Sequence, residues 1–108
     1  MNLEIKFDKN SPSFAIDPCL NMAYLKAQER RINEVFENAS YISLADIYGG
    51  FDIPIPESKI AAYASIIILR KESELLKFQN RENEDCSIAI SLELPNKYEL
   101  TPAMIFKL

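Results

Sequence analysis

Residues 3–8 alternate in character: Leu3, Ile5 and Phe7 are apolar, and Glu4, Lys6 and Asp8 between them are charged. A period of two marks a strand with one face buried. Asn10-Ser11-Pro12 ends it. From Asp17 the period lengthens. Met22, Leu25, Ile32, Val35, Phe36 and Ala39 recur at helical spacing as one stripe, with Lys26, Arg30, Asn33, Glu34 and Glu37 on the other faces. Asp17 is a good N-cap, and Pro18 suits the first helical position, where a missing N–H costs nothing. The spacing therefore predicts a helix from Pro18 to about Asn38 that buries Leu25, Ile32 and Phe36.

Beyond it, Tyr41-Ile42 reads as extended, and Ser43 with Asp46 forms a capping-box pattern for a short helix of one to two turns. Gly49 suits the left-handed position that ends a helix. Phe51 to Pro56 is expected to be extended, because each of Pro54 and Pro56 biases the residue before it away from helical geometry.

The middle admits two readings. In one, Pro56-Glu57-Ser58 opens a helix through Ala64, and Ser65 to Leu69 is a buried strand followed by a turn and a further strand. The β-branched run Ile66-Ile67-Ile68 favours this. In the other, one helix runs from Pro56 to about Asn80, as the helix formers between Lys71 and Lys77 would allow. The apolar residues from Ile60 to Phe78 hold no single stripe, so the order helix, strand, turn, strand is preferred. Asn80 to Asp85 reads as a surface turn. Cys86, Ile88, Ile90, Leu92 and Leu94 then alternate with smaller or polar residues as a strand, and Ala103 to Leu108 reads as a last one.

These elements make a single domain over residues 1–108: an α+β fold with a long N-terminal helix packed on a small, mainly antiparallel sheet. The chain carries no histidine. That removes imidazole-based dyads and triads and every histidine-bearing zinc site. Sixteen acids against 12 bases give a net charge of −4, which argues against direct nucleic-acid binding, since that needs a basic field. With only two glycines, a glycine-rich phosphate cradle is not expected. The start lacks the apolar region of a signal peptide, and Ile66 to Leu69 is far too short to span a bilayer. The expectation is a cytoplasmic protein with reduced thiols.

The candidate chemistry is thin. Cys19 sits in the first turn of the long helix, where thiol pKa values fall, but Asp17 opposes a thiolate there. Cys86 begins an apolar strand face and is expected in the core. Asp46, Asp52 and Glu57 are the acids nearest an aromatic segment, yet Asp46 has a capping task and Asp52 falls in a turn. Glu82-Asn83-Glu84-Asp85 lacks the glycine and distant glutamate of a calcium loop. No catalytic, cofactor or metal residue is assigned, and no cofactor is expected. Tyr41, Tyr48, Phe51 and Tyr63 fall within one short region and are the candidate interface residues, since aromatic side chains are enriched at binding hot spots, with core packing as the alternative, since such rings are equally common there.

One segment resembles a known pattern. Tyr41, Ile42, Leu44, Asp46, Ile47, Tyr48, Ile53 and Pro54, placed after a helix and followed later by Ser91-Leu92-Glu93-Leu94, are similar to a motif of small bacteriophage-encoded proteins of unknown function. This chain departs from that motif at Gly49-Gly50-Phe51 and lacks a glycine-tryptophan pair. The resemblance implies a phage or mobile-element origin and no particular activity. The expected function is non-enzymatic protein binding, with homo-oligomerisation open. Two alternatives are an inhibitor of a host defence protein of the anti-CRISPR kind and a small phage structural or assembly component. An acidic face of Glu72, Glu74, Glu82, Glu84 and Asp85 would favour the inhibitor.

Overall fold

A computed structural model describes residues 2–70, 75–93 and 105–107. The first alternating stretch forms β1 (Asn2–Phe7). The long helix α1 spans Pro18–Ala39. Asp17 caps it, its carboxylate accepting from the Cys19 N–H at 2.9 Å, and Ser40 closes it in the left-handed conformation. Next come β2 (Tyr41–Ser43), α2 (Leu44–Gly50), a 3-10 turn at Glu57–Lys59, α3 (Ile60–Ser65) and β3 (Ile67–Leu69). The remaining described strands are β4 (Phe78–Glu82), β5 (Ile88–Glu93) and β6 (Ile105–Lys107). The middle of the chain is thus helix then strands, not one long helix. The turn expected there falls partly on residues 71–74, which lie outside the described residues.

The fold is α+β, and its strand pairing is mainly antiparallel, but the described strands form two three-stranded sheets instead of one. The first has the order β1-β5-β4, all antiparallel. The second has the order β2-β3-β6, with β2 antiparallel and β6 parallel to β3. Helix α1 contacts both, its Tyr24 ring stacking on Phe7 of β1 and other residues packing on β2. Its buried face is Asn21, Leu25, Ile32 and Phe36, and the last three join Ile5, Phe7, Ile90 and Leu92 from the first sheet and Ile42 and Ile68 from the second in one core. Val35 and Ala39, expected on that stripe, are exposed: Val35 lies off the buried line, and Ala39 is the last residue of the helix.

Two asparagines of α1 fasten the helix to its surroundings. Buried Asn21 accepts from the Ala15 N–H at 2.7 Å and donates to the Ala15 carbonyl at 2.8 Å. Asn33 accepts from the Leu76 N–H at 2.8 Å and donates to the Leu76 carbonyl at 3.1 Å. Each amide pairs with a peptide group as a neighbouring strand would, satisfying backbone that a loop leaves open. Nearby, Asn80 of β4 donates to Glu29 at 3.0 Å. Burial pushes the Glu29 carboxyl above its usual range, against the opposing effects of Asn80 and Lys26.

The capping box forms as expected: the Asp46 N–H donates to Ser43 Oγ at 3.0 Å, and the Ser43 N–H donates to Asp46 Oδ2 at 3.2 Å. The end of α2 differs from expectation. Gly49 is not left-handed; that role falls to Asp52, at φ 59°. The Ile53 N–H reaches back to the Tyr48 carbonyl (2.9 Å) and the Asp52 N–H to the Gly49 carbonyl (3.1 Å), a Schellman closure. Aspartate is among the few non-glycine residues that tolerate this geometry. It is also held from outside: Ser13 Oγ donates to its carboxylate and Ser11 Oγ to its carbonyl, each at 2.6 Å. Phe51 and Asp52 therefore turn, and only the stretch from Ile53 to Pro56 is free of turn or helix, as its prolines require.

β4 runs on through Glu82, so the surface turn expected at Asn80 to Asp85 shifts to Asn83–Ser87. The Cys86 N–H donates to the Asn83 carbonyl at 3.0 Å and the Asn83 N–H to the Ser87 carbonyl at 2.8 Å. Cys86 takes φ 70° in this three-residue hairpin loop and is exposed, not a core residue. The hydroxyl and backbone N–H of Ser87 hold the Asp85 carboxyl below its usual range.

The two glycines do different work. A Cβ on Gly50 would lie 2.6 Å from Ile32 Cγ1, so Gly50 permits α2 to approach α1, whereas one on Gly49 would meet nothing within 4 Å. Gly49→Ala is expected to stabilise the protein by about 0.5–1 kcal/mol, the helix-interior penalty of glycine. Gly50→Ala is expected to destabilise it by about 1–3 kcal/mol through overpacking. Denaturant melts of the two variants side by side check this; shifts of the same sign would contradict the close approach.

Candidate functional site

The segment from Tyr41 to Pro56 borders three surface grooves. The first, about 440 Å3, lies between α1 and α2, with Gln28, Arg31, Ile32 and Val35 on one wall and Ile42, Asp46, Gly49 and Gly50 on the other. It exists because Gly50 brings the helices together while side-chain-free Gly49 leaves the wall open. Val35, 53% exposed, is an unpaid apolar group on its wall. The second, about 450 Å3, runs between Lys6, Asp8, Asn10 and Ser11 and the extended run Ile53 to Pro56. The third, about 250 Å3, is bordered by Gly49, Asp52, Ile53 and Pro54 together with Asn10 and Pro12.

The four aromatic candidates separate. Tyr41 is 52% exposed on β2. Tyr48 and Tyr63 are half-buried, their rings 5.1 Å apart and tilted, joining α2 to α3. Burial, then the neighbouring Tyr63 phenol, pushes the Tyr48 hydroxyl up to about 12. Phe51 is 0% exposed and meets Phe78 edge-on at 5.3 Å, so it belongs to the core and not to a binding surface. The interface candidates that remain at the surface are Tyr41, Tyr48 and Tyr63.

The acids do not assemble into a reactive pair. Asp46 is bonded to the backbone of Ser43, Asp52 to Ser13, and Glu57 is exposed at the 3-10 turn. Among the described residues no group of three potential ligands could hold a metal ion. Both cysteines are free and exposed. Glu82, Glu84 and Asp85 are exposed on or beside one hairpin loop, whereas Glu72 and Glu74 lie outside the described residues. No helix among the described residues is long and apolar enough to cross a membrane.

Sequence reasoning missed the α1–α2 groove and the paired asparagines. The asparagines left a trace: Asn21 and Asn33 sit inside a helix, where asparagine is a poor choice unless its amide is used. No protein-family model matches the chain, no curated protein matches it, and no solved structure matches it.

Proposed function

We propose that this protein acts by binding another protein, through the α1–α2 groove and the tyrosines beside it, and performs no chemistry of its own. The observation that carries the reading is the groove itself: an open concavity lined by exposed Val35, by Arg31 and Asp46, and by the nearly buried Ile32 and Ile42. Apolar walls with a few polar groups are the usual make-up of a recognition surface. The lack of histidine and the structural engagement of Asp46 and Asp52 weigh against an enzyme. The motif running from Tyr41 to Pro54 supports a phage or mobile-element origin, with action in the host cytoplasm. An inhibitor that presents acid to a nucleic-acid site draws on exposed Glu82, Glu84 and Asp85, but Lys6 and Arg81 beside them offset that charge.

Gly49→Arg tests the proposal. The new side chain enters open space next to the groove and leaves the core untouched. Host lysate is passed over wild-type and Gly49→Arg baits, and captured proteins are quantified by mass spectrometry. A partner held by the wild type is expected to be lost at least about tenfold from the variant, the scale of a hot-spot change, with a melting midpoint no lower than the wild type's. Equal capture by both baits would contradict the proposal.

A further inference from the structure

We propose that β1 is a self-association edge: two copies pair antiparallel through β1 about Ile5, joining their three-stranded sheets into one of six strands. β1 is the outer strand of its sheet, pairing with β5 on one side, and no other described strand pairs with it. An outer strand presents a row of backbone donors and acceptors ready for another strand. Alongside the end of β1, at Lys6 and Asp8, the surface opens into the groove of about 450 Å3.

The side chains choose the occupant. With Ile5 opposite Ile5 of a second copy, Glu4 of each chain stands opposite Lys6 of the other, and Leu3 opposite Phe7. Opposite-charge cross-strand pairs stabilise a ladder, and like charges directly opposite destabilise it. Moving the centre by one residue is unfavourable in either direction. About Glu4, two glutamates face each other; about Lys6, two lysines do, and Glu4 meets Asp8. Of these three registers, only the one about Ile5 sets Glu4 and Lys6 opposite each other. It also keeps the buried Ile5–Phe7 face of both sheets on the same side, with Glu4 and Lys6 exposed on the other. Edge lysines ordinarily block strand addition; here each lysine meets a glutamate. Within one chain the two charges are loosely held: Glu4 lies 3.7 Å from Arg81, and Lys6 lies 3.7 Å from Asp85. Such exposed pairs are readily exchanged for new partners.

This inference does not rest on the binding proposal, since β1 lies outside the α1–α2 groove. An edge-only contact is smaller than a standard interface, so the association is weak and appears at high concentration. Sedimentation equilibrium from about 10 µM to about 1 mM covers the range of such affinities. The wild type is expected to shift from monomer to dimer across it. Lys6→Glu and Glu4→Lys each place like charges opposite one another twice and are expected to weaken self-association at least about tenfold. Mixed in equal amounts, the two variants restore every pair and are expected to form the heterodimer at wild-type strength. Circular dichroism melts confirm that both variants are folded. A wild type that stays monomeric to the highest concentration overturns the proposal. So do dimers of the single variants as strong as the wild type's, or a mixture that fails to associate.

Discussion

Phe51→Ala is expected to destabilise the protein by about 3–5 kcal/mol, the range for removing a large ring from a packed core. The ring is 0% exposed and stands edge-on to Phe78 at 5.3 Å. Such an aromatic pair adds about 0.5–1.5 kcal/mol beyond burial. Phe51 is also the residue at which α2 ends, its N–H bonded to the Ile47 carbonyl. Losing the ring therefore loosens the closure that aims Asp52 at Ser13 and the Ile53–Pro56 run along its grooves. Urea denaturation read by circular dichroism measures the effect. A loss below about 1 kcal/mol, typical of a surface change, would place the ring outside the core. Loss of binding by this variant carries no information about contact with a partner.

Phe36→Ala is expected to cost a similar amount, about 3–5 kcal/mol. Phe36 is 0% exposed and faces the core one helical turn beyond Ile32. One turn earlier, Asn33 holds the backbone of Leu76, so the helix cannot rotate to fill the space without breaking two hydrogen bonds. A cavity that cannot collapse keeps its full penalty. Its neighbour supplies the control. Val35→Ala removes a side chain that is 53% exposed and is expected to change stability by no more than about 0.5 kcal/mol. Paired melts that gave equal losses for the two variants would contradict the assigned face of α1.

Local signals carried much of this fold. Alternation from Leu3 to Phe7 and from Ile88 to Leu92 gave two strands of the first sheet, which pair with each other in the register Leu3 to Leu92 and Phe7 to Ile88. Asp17-Pro18 marked the start of α1, and Ser43 with Asp46 marked that of α2, because capping is a matter of neighbouring residues. What was misread depended on contacts distant in sequence. Gly49 looked like a helix terminator, but the left-handed position moved to Asp52, where Ser11 and Ser13 from another loop hold it. Cys86 continued an apolar alternation and was expected in the core, yet the hairpin loop needed a left-handed residue there. Phe51 could serve either as an interface aromatic or as a core ring, and only the packing of Phe78 from a distant strand decides for the core. The division into two sheets was equally hidden, since pairing partners are chosen by topology and not by period. Of the proposed binding surface, the Tyr41 to Pro56 segment was legible from its aromatics, glycines and prolines. The opposite wall of the α1–α2 groove, Gln28, Arg31, Ile32 and Val35, was not, because the helical stripe placed Ile32 and Val35 in the core and only the packing of α2 opens a groove beside them.

Hydrogen exchange with and without the captured partner tests the central claim most directly. Binding through the α1–α2 groove is expected to slow exchange in two separated stretches, residues 28–35 of α1 and residues 42–50 of β2 and α2, which form its walls. Protection confined to β1, β4 and β5, with both groove walls unchanged, would contradict it.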